Sequence, residues 1–398
     1  MNTTIAHRHR SLARIVLMIT GASLLLAGCT SIEEQDAALR SAVDQVQAEV
    51  APDRRVAVFE IEWERQPSGL VVKGELDQEP VRTRVLEVLR EQSGLEVIDS
   101  VQLLPESRLA ERPYGILAVS VGNMRGRPRH SAEMVTQVLM GMVVKLMKKQ
   151  GGWYYVQSYD RYLGWIEGES MEIVSEEELE QWRTARRLMT TATIGFVTEK
   201  PAVGSRPVSD LVVGCTFKDL GSTGRWKKVE LPDGRRGYVE GSVVQEFNEW
   251  KRLRRLTPES VEASAVTFMG VPYLWGGTSA KGFDCSGFTK TVYRMNGLEL
   301  NRDANQQALQ GDEIPNSKDW KNLRRGDLLF FGRQATELDP ERIVHVGIYL
   351  DSGSYIHCSG RVRISSFDPN APDYDQYNDR RFVRARRVIG THAVPEVF

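Results

Sequence analysis

The sequence predicts an α+β protein built from several domains, and three observations carry this prediction. The chain has 398 residues, which is more than one hydrophobic core usually serves. A pattern of short β-strands occurs twice at a fixed spacing in the middle of the chain, and a long helical pattern returns only in the last third. Before the repeat, strand and helix patterns alternate. We therefore expect helices and strands in several separate units.

The amino-terminal segment is typical of an export signal. Three arginines and no acidic residue precede the apolar run IVLMITGASLLLAG at 15–28. The run is shorter than the roughly 20 residues that span a bilayer as a helix, so we predict that a signal peptide, residues 1–28, is removed. Its end, LAGC, resembles the lipobox of bacterial lipoproteins, which implies lipidation of Cys29. An ordinary signal peptide with an incidental cysteine is the alternative.

The charge pattern excludes one class of partner. The formal net charge is −1, and basic and acidic residues are interspersed, so no surface for nucleic acid is indicated. The lipobox resemblance implies an exported protein held to a membrane of the cell envelope by its lipid anchor. Because Thr30 rather than aspartate follows Cys29, we expect the outer membrane or its periplasmic face in a Gram-negative cell.

A tether and a small module are predicted next. Residues 29–49 have helical spacing through Ala38, Val43 and Val46, which favours a helix leading away from the membrane. The alternation in VAVFEIEWE predicts a strand with one wet face. The following segments predict a strand, a helix and two strands, in the order LVVKGEL, EPVRTRVLEVLREQS, LEVIDS and YGILAVSV. We assign 50–125 to an α+β module with a structural or docking role, because it contains no candidate catalytic group.

The repeat in the middle of the chain has a constant offset of 73 residues. The first copy contains Trp153, Val156, Asp160, Gly164, Trp165, Ile166, Glu167 and Gly168. The second copy contains Trp226, Val229, Asp233, Gly237, Tyr238, Val239, Glu240 and Gly241. A constant offset through strand, turn and strand indicates one β-unit used twice, although a single β-sandwich is the alternative. Each unit resembles a bacterial SH3-like barrel, and we place the barrels at 126–178 and 186–247. Cys215 aligns with Met142 and is predicted to be buried.

A candidate nucleophile lies in the last predicted domain, at 256–398. In GFDCSGFTK, Cys285 follows a glycine-rich loop and begins a run with helical spacing. The unpaired N–H groups and the dipole at a helix N-terminus favour a thiolate, so we expect a lowered pKa for Cys285. A lowered pKa would distinguish a reactive nucleophile from a cysteine in an inactive binding domain.

Two histidines can assist this thiol. His345 in RIVHVGIYL and His357 in SYIHCSG lie on consecutive predicted strands. If these strands are antiparallel neighbours, His345 can accept the thiol proton while His357 holds its ring. Cys358 points to the other face and is predicted to lie in the core. A structural cysteine with two satisfied histidines and a zinc site of the same residues are alternatives, but no short ligand pair indicates zinc.

The combined motifs resemble the NlpC-type, papain-like cysteine peptidases that cleave bacterial cell-wall peptides. The matching features are DCSGF, a histidine in GDLLFF and HVGIY context, and a second histidine 12 residues later. The resemblance implies a papain-like domain in which Cys285 attacks the scissile carbonyl, His345 is base and then acid, and His357 orients it. It implies no cofactor and no metal. Acyltransferases with a permuted fold place a histidine before the cysteine, and the order here argues against that activity.

Members of this family with two SH3-like barrels cleave the bond between γ-D-glutamate and a diamino acid in murein peptides whose N-terminal L-alanine is free. The resemblance implies an anionic pocket for that amine. The implied substrate-binding residues are Tyr273, Asp284, Ser286, Asp303, Glu133 and Tyr162. Ala304 replaces a serine that is frequent in the family, and Arg235 is the second barrel's equivalent of Tyr162. A catalytically inactive, peptidoglycan-binding lipoprotein is the alternative function.

Overall fold

A computed structural model describes residues 31–315 and 320–391. Within these ranges the α-helices are α1 (Ile32–Val50), α2 (Glu79–Ser93), α3 (Glu176–Thr184), α4 (Phe247–Leu253), α5 (Pro258–Val266), α6 (Cys285–Met295), α7 (Ala304–Gln307) and α8 (Gln376–Asp379). The predicted signal peptide and Cys29 lie outside the described residues. In the described ranges, no helix has the length and apolarity needed to cross a membrane.

The amino-terminal unit is a three-stranded sheet covered by α1 and α2. Its strands are β1 (Phe59–Gln66), β2 (Gly69–Leu76) and β3 (Val97–Leu103). β2 pairs with β1 antiparallel and with β3 parallel. In β1, Phe59 and Ile61 are buried and the intervening glutamates are exposed, as the alternation predicts. α1 is not a free tether, because Leu39, Val43 and Val46 lie in the core of this unit.

Two seven-stranded sheets follow, one for each copy of the repeat. The first contains β4 (Tyr114–Leu117), β5 (Val121–Arg125), β6 (Met134–Leu139), β7 (Val143–Gln150), β8 (Trp153–Ser158), β9 (Leu163–Glu167) and β10 (Met171–Val174). The second contains β11 (Arg187–Thr190), β12 (Ile194–Thr198), β13 (Pro207–Val212), β14 (Thr216–Thr223), β15 (Trp226–Glu230), β16 (Arg236–Glu240) and β17 (Val244–Glu246). The strand orders are β10-β4-β7-β8-β9-β5-β6 and β17-β11-β14-β15-β16-β12-β13. The same order in both sheets supports the interpretation of one unit used twice.

The structure moves one predicted boundary. We placed β4 and β5 in the small module, which was expected to extend to residue 125. However, β4 pairs with β7 and β10, and β5 pairs with β6 and β9, so both strands belong to the first barrel. The offset of 73 relates β4 to β11 and β5 to β12, and extending the count backwards would have located this boundary.

The carboxy-terminal unit packs α6 against a six-stranded sheet and α5 against α6. In the described residues this unit contains the strands β18 (Thr278–Ser279), β19 (Gly282–Phe283), β20 (Asp312–Glu313), β21 (Leu328–Arg333), β22 (Arg342–Tyr349), β23 (Ser354–Ser359), β24 (Arg361–Ser366) and β25 (Phe382–Arg387). β18 and β19 form a separate hairpin, and the main sheet has the order β20-β25-β21-β22-β23-β24. α5 begins at Pro258 with Thr257 as its N-cap, as predicted.

The three units after the module share a continuous apolar core. Buried side chains of both barrels and of the carboxy-terminal unit form one cluster, which includes Cys215 and Cys358. Both thiols are fully buried, as predicted. The module joins this assembly through a smaller cluster in which Val58 packs with Met147 and Leu163 of the first barrel. This packing brings distant parts of the chain to one cleft.

Candidate active site

Cys285 is the first residue of α6, as the sequence predicts. The preceding Asp284 is the N-cap, and its Oδ1 accepts a 2.7 Å hydrogen bond from the N–H of Gly287. Its Oδ2 accepts from the N–H of Gly276 at 3.0 Å, which ties the glycine-rich loop to the start of the helix. Cys285 is 8% exposed and lines an open cleft. The thiol is therefore held at a helix N-terminus and within reach of a ligand.

The thiol pKa differs from our expectation. Burial raises the pKa of Cys285 to about 12, and the nearby negative charge of Asp284 acts in the same direction. Hydrogen bonds from the backbone of Val346 and Ser286 lower the pKa but do not offset the burial. The favourable helix N-terminus is thus outweighed by desolvation of the anion. In the free cleft the group is a thiol, so a lowered pKa does not distinguish Cys285 from a cysteine in an inactive binding domain.

His345 and His357 form a hydrogen-bonded pair, as the sequence predicts. β22 and β23 are antiparallel neighbours, and Nε2 of His345 lies 2.8 Å from Nδ1 of His357. Burial lowers the pKa of His345 to about 4. Burial also lowers the pKa of His357 to about 3, with further lowering by the charges of His345 and Arg363. Both imidazoles are therefore neutral near pH 7.

Further groups hold His357 from behind. Its Nε2 lies 3.1 Å from Oγ of Ser365 and 4.0 Å from Oδ2 of Asp375. The same Asp375 oxygen accepts a 3.1 Å hydrogen bond from the hydroxyl of Tyr355, whose ring packs edge-on against His357. The ring of His357 is thus positioned by a network of polar side chains on the side away from His345.

The nucleophile and the histidine pair lie on neighbouring elements. α6 packs against β22 and β23, and the backbone of Val346, the residue after His345, is hydrogen-bonded to the thiol. Val344 and Tyr273 line both the cleft that contains Cys285 and the adjoining cleft that contains His345. Because Nε2 of His345 is directed to His357, Nδ1 is the nitrogen left for the thiol.

Every predicted substrate-binding residue lines the Cys285 cleft, whose volume is about 350 Å³. Asp284 and Ser286, however, are engaged by a buried arginine. Nη1 and Nη2 of Arg302 bond both oxygens of Asp284 at 3.2 and 2.5 Å, and Nη1 also donates to Oγ of Ser286 at 3.0 Å. With the two backbone bonds it already accepts, the Asp284 carboxylate is saturated. The expected contact between Asp284 and a substrate ammonium is therefore not available in this arrangement.

The remaining acidic groups come from two domains. Oδ2 of Asp303 accepts a 2.9 Å hydrogen bond from the hydroxyl of Tyr162 in the first barrel. Glu133, from the same barrel, accepts a 2.8 Å bond from the indole N–H of Trp275. The first barrel thus forms one wall of the cleft, as predicted. Ala304 also lines the cleft and offers no side-chain hydrogen bond.

The second barrel does not contribute the corresponding residue. Arg235, which aligns with Tyr162, bonds Asp233 within its own turn. It also donates to the carbonyl oxygen of Ala118 at 2.9 Å and so links the barrels. The asymmetry that the sequence indicated is present, and the residue has a structural contact in the second copy.

Three residues of the site were missed from the sequence. Arg302 is adjacent to the predicted Asp303, but its ion pair with Asp284 depends on the packing of the loop before α7 against α6. Asp375 follows the second histidine by 18 positions and belongs to no motif that we recognised. Arg55 lies in the module for which the sequence predicts a structural or docking role, yet its Nη1 is 2.7 Å from Oδ2 of Asp303. Only the domain arrangement reveals it.

Comparisons with known proteins agree with this geometry. The profile of the NlpC/P60 family matches residues 270–387, and that of a bacterial dipeptidyl-peptidase Sh3 domain matches 124–171. The γ-D-glutamyl-L-lysine dipeptidyl-peptidase of Bacillus subtilis strain 168 is 30% identical over 230 residues, which are 56% of this chain and 71% of that protein. The chain belongs to the NlpC/P60 family.

Two further relatives match this chain over most of their own length. Dipeptidyl-peptidase 6 of Lysinibacillus sphaericus is 27% identical over 270 residues, which are 66% of this chain and 94% of that protein. The crystal structure of an NlpC/P60 family protein from Bacillus cereus ATCC 10987 covers 69% of this chain and 99% of its own, with a TM-score of 0.58 and 22% identity. This structural likeness confirms the multidomain α+β fold. Membership of the NlpC/P60 family identifies the chain as a peptidase.

Proposed function

We propose that this protein is a cysteine endopeptidase that hydrolyses the bond between γ-D-glutamate and the diamino acid of murein peptides, with a preference for a free N-terminal L-alanine. The observation that carries the proposal is the cleft itself, in which Cys285 shares one cavity with Glu133, Tyr162 and Asp303. The name of the Bacillus subtilis relative, a γ-D-glutamyl-L-lysine dipeptidyl-peptidase, supports the same bond.

The proposed reaction begins with two neutral groups. Sγ of Cys285 attacks the scissile carbonyl carbon while its proton passes to Nδ1 of His345. The Nε2 proton of His345 is shared with Nδ1 of His357, and the Nε2 proton of His357 is donated to Ser365. Nε of Arg363 also points a hydrogen at this nitrogen, at 3.4 Å; we assign the Nε2 proton to His357 because the 3.1 Å contact with Ser365 is the shorter one. Tyr273 lines the cleft next to the thiol, and burial raises its pKa. Its hydroxyl therefore stays protonated and donates a hydrogen bond to the oxyanion.

The second half of the reaction returns the proton. The imidazolium of His345 protonates the leaving amine, and the carbonyl remains on Cys285 as a thioester. Water then attacks the thioester with His345 as base, which releases L-Ala-γ-D-Glu and restores the thiol. In this proposal the substrate's ammonium lies between the carboxylates of Glu133 and Asp303. An acetylated amine carries no charge and cannot form these ion pairs.

Hydrolysis of a defined tripeptide tests this function. We expect the protein to release L-Ala-γ-D-Glu from L-Ala-γ-D-Glu-diaminopimelate, and the Cys285→Ala variant to release none, because no other group in the cleft replaces the thiol. Chromatography of the products measures this. Cys215→Ala is the matched control, since Cys215 is buried in the second barrel, and it should retain activity. Cleavage by Cys285→Ala would contradict Cys285 as the nucleophile, and no cleavage by any form would favour the inactive, peptidoglycan-binding alternative.

We further propose that the enzyme acts at the cell envelope through a lipid on Cys29. The support is the LAGC sequence after an apolar run. Labelling of growing cells with radioactive palmitate should mark the protein, and Cys29→Ala should abolish the label and release the protein from the membrane fraction. Label that persists in Cys29→Ala would contradict this anchor.

A further inference from the structure

The amino-terminal module reaches into the peptidase cleft through the short segment between α1 and β1. The backbone of this segment is fixed on the first barrel: the carbonyl oxygen of Arg55 accepts from the N–H of Leu163 at 2.8 Å, and that of Val56 accepts from Nε2 of Gln157 at 3.1 Å. Arg55 lines the same cavity as Cys285. Residues separated by more than 200 positions in the chain thus form one pocket.

The guanidinium of Arg55 is held on both sides. Its Nε and Nη2 bond the two oxygens of Asp53 at 2.8 and 2.7 Å. Its Nη1 bonds Oδ2 of Asp303 at 2.7 Å and Oδ1 of Asn305 at 3.0 Å. Asp53 in turn accepts a 2.5 Å bond from Nε2 of Gln306. Such a bidentate, multiply bonded arginine is rigid, and a lysine cannot reproduce this geometry.

The bonds of Arg55 divide the two oxygens of Asp303. Oδ2 accepts from both Arg55 and Tyr162. Oδ1 lies 3.9 Å from the guanidinium of Arg302, which exceeds a hydrogen-bond distance. The Asp303 side chain also faces the backbone N–H of Gln306 in the capping box that begins α7. Glu133 faces the same cavity. The three donors from Arg55, Tyr162 and Gln306 leave about one of the four acceptor sites of the Asp303 carboxylate for a cationic ligand, at a place bounded by the side chain of Arg55.

We propose that Arg55 is the specificity-determining residue that closes the amine end of the cleft. This inference rests on the proposed function. The guanidinium fixes Asp303 so that Oδ1 binds one primary ammonium, and its side chain fills the space into which an acylated or longer amino terminus would extend. The module therefore restricts the enzyme to peptides with a free amino terminus.

The test compares L-Ala-γ-D-Glu-diaminopimelate with its N-acetyl form in the full-length protein. Removal of the side chain in Arg55→Ala opens the end of the cleft. We expect the ratio of the two kcat/KM values to fall about tenfold or more, mainly through a lower KM for the acetylated peptide, since pocket walls set specificity by excluding the wrong ligand. Arg55→Lys fills most of the space but cannot bond Asp53 and Asp303 together, so its selectivity should lie between those of wild type and Arg55→Ala.

The controls separate this role from a structural one. Arg54→Ala is the matched variant, because Arg54 pairs with Glu60 on the exposed surface and does not line the cleft; it should leave the ratio unchanged. Arg55→Gln keeps a polar group beside Asp53 and covers the case in which the alanine variant does not fold. It should lose selectivity in the same direction.

Three outcomes would overturn the inference. If wild type prefers the free amine and both Arg55→Ala and Arg55→Gln keep the full preference, Arg55 does not set specificity, and the proposed function stands. If Arg55→Lys and Arg54→Ala lose the preference as strongly as Arg55→Ala, the effect belongs to docking of the module. A wild type that cleaves neither peptide overturns the proposed function together with this inference.

Discussion

At the scale of single residues, the proposed nucleophile and base are two neutral partners and not an ion pair. Burial raises the pKa of Cys285 to about 12 and lowers that of His345 to about 4. At pH 7 the proton therefore stays on sulfur until a substrate is attacked. The advantage is a cleft that exposes no reactive anion to water, and the cost is a nucleophile that depends fully on His345 as its base.

Alkylation of Cys285 by iodoacetamide tests this neutral pair. Because only the thiolate reacts, we expect the second-order rate constant to rise by about tenfold per pH unit between about pH 6 and 9, with no plateau. Mass spectrometry of the labelled cysteine measures the rate, and Cys285→Ala corrects for Cys215 and Cys358. A plateau that begins below pH 6 would show a thiolate–imidazolium pair and contradict this account.

The sequence predicted which residues meet in the candidate active site, but not their ionisation. Cys285, His345 and His357 were found because strand alternation and the start of a helix are local patterns. The pKa of Cys285 depends on how many atoms of other elements exclude water from it. Asp375 and Arg302 were missed for the same reason, since their partners are brought to them by tertiary packing.

At the scale of elements, one aspartate, Asp284, fixes the start of α6. Asp284 caps α6 and also pairs with Arg302, whose side chain is 1% exposed. Arg302 further donates to Oγ1 of Thr136 in the first barrel at 3.0 Å. The position of Cys285 is therefore coupled to the barrel through a buried charge pair.

The variant Asp284→Asn should destabilise the fold strongly. Asparagine is also a good N-cap, so the change mainly removes the counter-charge that is hydrogen-bonded to the buried Arg302 and leaves the more distant Asp303, at 3.9 Å. Breaking such a buried pair costs about 3–5 kcal/mol. Urea unfolding followed by tryptophan fluorescence measures this cost. The matched control is Asp339→Asn, whose partner Arg333 is half-exposed, and its cost should be about 0–1 kcal/mol. Equal costs for the two variants would show that the Arg302 pair contributes little.

Helix boundaries were predicted better than helix partners. Thr257, Pro258 and Cys285 mark helix starts by local rules of capping, and the structure confirms them. The helical spacing at 29–49 also predicted α1 correctly. Its role was wrong, because the apolar face with Leu39 packs onto a sheet formed later in the chain.

At the scale of the whole molecule, the two barrels contact each other through a glycine of the repeat. Gly141 and Gly214 occupy equivalent positions, and both have positive φ, 82° and 91°. A Cβ on Gly141 would lie 2.4 Å from the carbonyl oxygen of Thr216 in the second barrel. A Cβ on Gly214 would meet only Cδ1 of Leu139, at 3.1 Å. Gly141 is therefore required both by the positive φ of its turn and by the close contact between the barrels.

Replacement of these glycines should have unequal effects. Gly214→Ala carries the backbone cost of a positive φ, about 1–3 kcal/mol, since the Leu139 side chain can move. Gly141→Ala carries the same cost and a collision with backbone of the other barrel, so we expect a larger loss of stability and a lower kcat/KM. Thermal unfolding and tripeptide cleavage measure the two effects. Equal losses in both variants would contradict a tight barrel contact at Gly141.

The arrangement of domains is the part that the sequence could not provide. The constant offset of 73 revealed the duplication, and the motifs revealed the peptidase unit. However, no local pattern indicates that Arg55 approaches Asp303, because that contact depends on how Val58 and Leu163 dock the module onto the first barrel.

The two barrels also show how equivalent positions of a repeated unit can take different roles. At one equivalent position, Tyr162 faces the ligand cleft in the first copy and Arg235 ties the copies together in the second. A chain with a single copy would have to satisfy both demands with one side chain. With two copies, the cleft role and the barrel contact belong to different side chains. Ligand choice can therefore be redesigned in the first barrel while Arg235 of the second barrel still holds the two barrels together.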